Sequence, residues 1–187
     1  MNVLLGVTGS VAAILTPQLV KNLLSHSLEV QIVATESSLH FWDVGDVVVF
    51  RDKDEWPASG YKRDDKVLHI ELRKWADLLL VAPLSANTLA KMATGQADNL
   101  LTNVVRAWDR DKTIIVAPAM NTYMWYHPAT DEHLGKLRRW IPYPRFQVIN
   151  PVIKTLACGD EGIGAMAPIE NIVEVVLAAR RLLLCAP

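Results

Sequence analysis

Apolar residues along this 187-residue chain fall into two kinds of run. The first kind is continuous: "NVLLGV" from Asn2, "LEVQIVAT" over Leu28 to Thr35, "DLLLVAP" over Asp77 to Pro83 and "TIIVAP" over Thr113 to Pro118. Short runs apolar on both faces suit strands of a parallel sheet with helices on either side. The second kind recurs every three or four residues. Leu15, Leu19 and Leu23, with Val20 and Leu24 beside them, predict one helix face over "VAAILTPQLVKNLLS". Pro17 falls in its first turns, where a missing N–H costs little. "HIELRKWA", "SANTLAKMATG", "NLLTNVVRAW" and "IENIVEVVLAARRLLL" read as further helices. Ser85 is a natural N-cap, Gly95 stands past the end of that helix, and Ile172, Val176 and Ala179 share a face of the last one.

Between these elements, "FWDVGDVVVFRDKDEWPASGYKRDDKV" reads as connecting structure with one short strand at Asp46 to Phe50, and "FQVINP" offers another strand. Strands alternating with helices predict a single α/β domain over 1–187, a three-layer α/β/α sandwich around a Rossmann-like, mostly parallel sheet. Such sheets bind ligands beyond the carboxyl ends of their strands. The four clearest ends, "GVTGS", "VATESS", "VAPLSANT" and "VAPAMNTYMW", should therefore gather at one rim.

Composition narrows the function classes. Net charge is −1 with no block of like charges, which gives no support for binding nucleic acid or a membrane surface. No apolar run is long enough to span a membrane. The 51% hydrophobic content fits either a large core or apolar surface buried between subunits. Cys158 and Cys185 lie far apart with no C-x-x-C pair, which suits a reducing compartment. The first strand begins at Asn2 with no charged leader, so the expectation is a cytoplasmic protein. His127 and His133 lack a third ligand, and no metal site is expected.

At the rim, Gly9 and Ser10 open a helix, where N–H groups and the dipole attract an anion; taken alone, the motif is better read as a tight turn with no ligand. The dinucleotide fingerprint is missing, since only Gly6 and Gly9 are present. Ser10, Thr35, Ser37, Ser85 and Thr88 would stand on neighbouring strand ends. Neutral donors with helix N-termini suit one phosphate monoester, and so a mononucleotide such as FMN. Taken singly, His69 reads as a surface or satisfied core histidine, Asn121 as a turn amide and Met124 as core filler. Cys158, among Gly159, Gly162 and Gly164, is either an inert buried thiol or a thiol on a lid.

Four linked segments, "HIELRKWADLLLVAPLSANTLAK", "ADNLLTNVVRAWD", "PAMNTYMW" and "ACGDEGIGAMA", closely resemble the homo-oligomeric flavin-containing cysteine decarboxylases, in order and over nearly the whole chain. The resemblance implies a free-standing FMN enzyme, a homotrimer with active sites shared between adjacent subunits, and phosphopantothenoylcysteine as substrate. A mixed trimer with a homologue is compatible with it. It assigns FMN binding to Gly9, Ser10 and Val11, to Thr35, Ser37 and Ser38, to Ser85, Ala86, Asn87 and Thr88, and to Ala119. It makes His69 the essential histidine, Asn121 the grip on the substrate carboxylate, Met124 part of the same motif, and Cys158 the acid of the last step. Leu15 stands where relatives often carry lysine, and Pro168 follows Ala167 directly, which bears on closure over the substrate. Three rivals remain at this level: a regulatory subunit, a Cys–His–Asn hydrolase, and an FMN enzyme acting on a cysteine-ended peptide or a prenyl donor.

Overall fold

The computed structural model describes residues 1–43, 47–155 and 161–184. In chain order the elements are β1 (Asn2–Val7), α1 (Thr16–Ser25), β2 (Glu29–Ala34), β3 (Val49–Phe50), α2 (Leu68–Trp75), β4 (Leu78–Leu84), α3 (Ala86–Thr94), α4 (Leu100–Arg106), β5 (Thr113–Pro118), α5 (Thr122–Trp125), α6 (Pro128–Trp140), β6 (Phe146–Val148), β7 (Val152–Thr155), β8 (Glu161–Ala165) and α7 (Ile169–Leu184). Short 3₁₀ turns cover Val11–Leu15, Glu36–His40 and Asp52–Asp54.

Six strands form one sheet in the order β3-β2-β1-β4-β5-β6, and every pairing in it is parallel. β7 and β8 stand apart as an antiparallel hairpin. The central strands bury both faces, as their unbroken apolar runs require. In β1, Val3, Leu5 and Val7 point into a core shared with α1 and α7, whereas Leu4 points into a core under α2, α3, α4 and α6. β4 divides the same way, with Leu78, Leu80 and Ala82 on one side and Leu79, Val81 and Leu84 on the other. The result is the expected three-layer sandwich.

Local chemistry explains most boundaries. The helix expected from Val11 starts later, at Thr16, behind a separate 3₁₀ turn. Pro17 has no N–H to give the Ala13 carbonyl, and the Thr16 N–H takes it instead. Within α1, Leu19, Val20 and Leu23 are buried, but Leu24 is half exposed, contrary to expectation. Ser85 caps α3 and Gly95 ends it with φ +73°, a left-handed conformation that suits glycine. The short strand expected from Asp46 is only Val49–Phe50, with Asp46 itself outside the described residues. α5, α6 and the β7–β8 hairpin were not expected from the pattern. No described helix is long and apolar enough to cross a membrane.

Candidate active site

β1 and β4 lie side by side where the strand order reverses, so their outgoing loops part and leave a crevice between them. One fully buried hydroxyl bridges it. Thr8 Oγ1 donates to the Pro83 carbonyl (2.8 Å) and accepts from the Ser85 N–H (2.8 Å). Ser10 makes the next link, its Oγ donating to the Ala119 carbonyl after β5 (3.1 Å). The loops after β1 and β2 meet at Gly9, where a Cβ would lie 2.4 Å from Ser37 Oγ, so no larger residue fits. Thr35 Oγ1 is 3.4 Å from the Val7 carbonyl and 3.2 Å from Ser37 Oγ. Ser38 is buried and donates to the Thr35 carbonyl (2.7 Å). Ser85 Oγ accepts from the Thr88 N–H (3.2 Å), while Ala86 is half buried and Asn87 exposed. All the expected rim residues are thus drawn together. They divide into buried hydroxyls that tie their own turn or helix start, such as Ser38 and Ser85, and groups facing outward, such as Ser37 and Asn87.

Beside this rim lies a largely apolar cavity of about 470 Å³. Its walls include Ser10, Val11 and Leu15 from the first 3₁₀ turn, Ala119 and Asn121 after β5, and Lys154 and Gly164 from the hairpin. The hairpin meets the β5 loop backbone to backbone. The Met120 N–H donates to the Gly164 carbonyl (3.0 Å), and a Cβ on Gly164 (φ +150°) would lie 2.1 Å from the Met120 carbonyl oxygen. Asn121 is half buried and caps α5, its Oδ1 accepting from the Tyr123 N–H (2.9 Å). Met124 does not line the cavity; it is half exposed on α5. On the cavity wall Val11 and Ile14 are exposed, as are Tyr123 and Tyr126 at α5.

His69 stands elsewhere. It occupies the first turn of α2, which runs into the start of β4, so it lies toward the same end of the sheet. α2, however, packs in the layer with α4, and His69 is not a wall of the cavity. Its Nδ1 lies 2.5 Å from Oε1 of Glu55, a carboxylate only 5% exposed. His127 caps α6 by accepting from the Ala129 N–H. Cys158, in the link between β7 and β8, lies outside the described residues. Among the described residues no cluster of His, Cys, Asp and Glu is placed to hold a metal ion. Asp98 is held below the usual carboxylate range by its hydrogen bond to Lys91, on the exposed link from α3 to α4.

Comparison with known proteins decides the family, because the model described as Flavoprotein matches residues 1–181. The chain belongs to the flavoprotein family. Phosphopantothenoylcysteine decarboxylase of Mus musculus is 52% identical to this flavoprotein over 179 residues, covering 94% of the chain and 85% of the relative. Among solved structures, a cysteine-to-serine mutant of PPC decarboxylase complexed with pantothenoylaminoethenethiol superposes with a TM-score of 0.90. It is 48% identical, and the match covers 96% of this chain and 98% of that one. The FMN-binding protein AtHal3 superposes with a TM-score of 0.83 at 49% identity, covering 95% of each chain. At such identity over nearly the whole length, this flavoprotein is an enzyme of the phosphopantothenoylcysteine decarboxylase group.

Sequence reasoning missed two residues of this flavoprotein's rim and its surroundings. Thr8 sits inside the segment "GVTGS", where the glycines draw attention; its position at a strand end facing "SANT" was the available signal. Glu55 follows Asp52 and Asp54 in a charged connecting stretch, and nothing local separates it from those two.

Proposed function

We propose that this flavoprotein binds FMN and decarboxylates 4′-phosphopantothenoyl-L-cysteine to 4′-phosphopantetheine, a step toward coenzyme A. The observation that carries the reading is the meeting of Ser10, Ala119 and Asn121 in one apolar cavity beside a hydroxyl-rich rim. The donor set suits FMN. It is built of neutral hydroxyls and the N-terminus of α3, which match one phosphate monoester, and the glycine at position 9 lets two loops close to contact distance. Gly9, Ser10, Val11, Thr35, Ser37, Ser38, the segment Ser85 to Thr88 and Ala119 are the residues that hold the cofactor. Ser38 and Ser85 do so by tying their own turn or helix start.

Direct loss of CO₂ from a cysteine carboxylate would leave a carbanion with no electron sink. FMN held by these residues would supply that sink as a reversible hydride acceptor at the carbon bearing sulfur, so that CO₂ would depart from a thioaldehyde and leave an enethiolate. The chain's own residues position and protonate. Asn121, its amide plane fixed by the Tyr123 N–H, donates from Nδ2 to the substrate carboxylate. The apolar walls, Val11 and Leu15 among them, exclude water while CO₂ leaves. His69 takes the thiol proton on Nε2, since Nδ1 is occupied by Glu55. Cys158 returns a proton to carbon in the last step. Support for that role comes from the cysteine-to-serine neighbour complexed with an enethiol, the species a missing proton donor would leave.

His69 and the cavity occupy different layers of one chain, and large apolar side chains are exposed both on the cavity wall, at Val11 and Ile14, and at α5, at Tyr123 and Tyr126. Both features favour a homotrimer in which one subunit's His69 serves its neighbour's cavity. The test is the visible spectrum of the purified protein together with CO₂ release from phosphopantothenoylcysteine. A yellow protein near one FMN per chain that releases CO₂ is expected, with His69→Asn retaining flavin and losing turnover. A colourless protein that takes up no FMN would sink the reading.

A further inference from the structure

Glu55 is the buried acid to which the reaction described above gives no task beyond occupying His69 Nδ1. It is 5% exposed, its Oε1 lies 2.5 Å from His69 Nδ1, and its Oε2 is buried without a hydrogen-bond partner among the described residues. Burying a carboxylate with one oxygen unsatisfied is unfavourable, and a fold tolerates it where the group has a task.

The backbone leading into Glu55 is anchored twice. Arg51 N–H donates to Asp54 Oδ2 (2.8 Å), closing the 3₁₀ turn, and Asp52 Oδ1 accepts from the Leu100 N–H at the start of α4 (2.9 Å). The turn is thereby tied to the helix beside α2, and Glu55 follows it directly. His69 is 20% exposed, so one edge of its ring is held inside while part of the ring reaches solvent.

We propose that Glu55 is the positioning residue for His69. Its carboxylate accepts the Nδ1–H, which fixes the imidazole in the tautomer with a lone pair on Nε2 and stabilises the imidazolium formed when Nε2 takes a proton. The inference rests on the reading of His69 as the catalytic histidine. It adds that this residue works as half of a carboxylate–imidazole pair, in which the buried carboxylate fixes the ring's orientation and tautomer. The unsatisfied Oε2 fits such a role, because a carboxylate with all its lone pairs occupied would stabilise the imidazolium less.

The test compares Glu55→Gln, Glu55→Asp and the unaltered holoenzyme. Gln keeps the volume but removes the charge, and its amide can also donate to Nδ1, which places the proton on Nε2. The ¹⁵N chemical shifts of the His69 ring report the tautomer directly, whether or not the protein turns over. We expect Nδ1–H in the unaltered protein and a shift toward Nε2–H in Glu55→Gln. A fall in kcat on the order of 100-fold should accompany it, with KM, bound flavin and subunit assembly little changed. Glu55→Asp, which keeps the charge, should recover part of kcat. An unchanged His69 tautomer together with unchanged kcat in Glu55→Gln would overturn the proposal. An active His69→Asn protein would instead remove the reading beneath it, and the two failures are told apart by the ring shifts.

Discussion

Gly164→Ala should detach the hairpin from the cavity it walls. The added Cβ would lie 2.1 Å from the Met120 carbonyl oxygen, a backbone atom with no rotamer to change. Reaching contact distance requires the strands of β8 and the β5 loop to part by about 1 Å. Alanine at φ +150° costs about 1–3 kcal/mol in backbone strain. Parting also breaks the Met120 N–H bond to the Gly164 carbonyl, a loss of about 0.5–1.5 kcal/mol. Together these amount to about 2–4 kcal/mol. The hairpin is a peripheral element, with Ile153, Lys154 and Thr155 exposed, so the strain is relieved by local opening rather than by unfolding the sheet. The assay is hydrogen exchange at the Met120 amide. At one decade per about 1.4 kcal/mol, protection there should drop by roughly 30- to 1,000-fold while amides in β1 and β4 keep theirs. The KM for the substrate should rise and flavin should stay bound. Wild-type protection of Met120 in a folded Gly164→Ala protein would refute the docking described here.

Two further outcomes follow from buried polar links. Thr8→Val keeps the shape but leaves the Pro83 carbonyl and the Ser85 N–H unpaired, so the denaturant midpoint should fall by the equivalent of about 2–4 kcal/mol. An unchanged midpoint would show that the hydroxyl is dispensable. Lys112 Nζ donates to the Arg73 and Ala76 carbonyls (2.9 and 2.6 Å) at the end of α2 and lies 5.8 Å from the Trp108 ring. Lys112→Met should cost about 1–2 kcal/mol, read as a lowered melting temperature, and unaltered melting would count against the cap.

The sheet was legible because its strands are buried on both faces, and such runs need no partner information to recognise. The helices on the cores were legible for the related reason that Leu19 and Leu23, or Ile172 and Val176, repeat at helical spacing. α6 escaped because its sequence "PATDEHLGKLRRW" buries little more than Thr130, Leu134 and Leu137, too thin a stripe to stand out from the charges around it. The hairpin escaped because β8, "EGIGA", alternates glycine with other residues and presents no apolar face. Gly9, Ser10, Thr35, Ser37, Ser85 and Thr88 came from the strand ends, where topology concentrates ligand-binding groups, whereas Val11, Ser38, Ala86, Asn87 and Ala119 came only from the family resemblance. Their division into turn-tying and outward-facing groups depends on which partners the fold supplies, as does the burial of Glu55 beside His69.

Thr8 carries a consequence for the order in which the protein and its cofactor come together. Beyond the ladder that pairs Val3–Gly6 of β1 with Leu78–Val81 of β4, the outgoing loops diverge, and no strand pairing among the described residues sets the gap between those loops. A hydroxyl with both partners on the far side sets it instead, from atoms within the chain. If FMN binds as proposed, its phosphate meets a seat already at its working width, and little ordering entropy is lost when it binds. Emptied of flavin, the protein should keep this part of its rim intact and refill quickly, at a rate governed by encounter rather than by refolding of the loops.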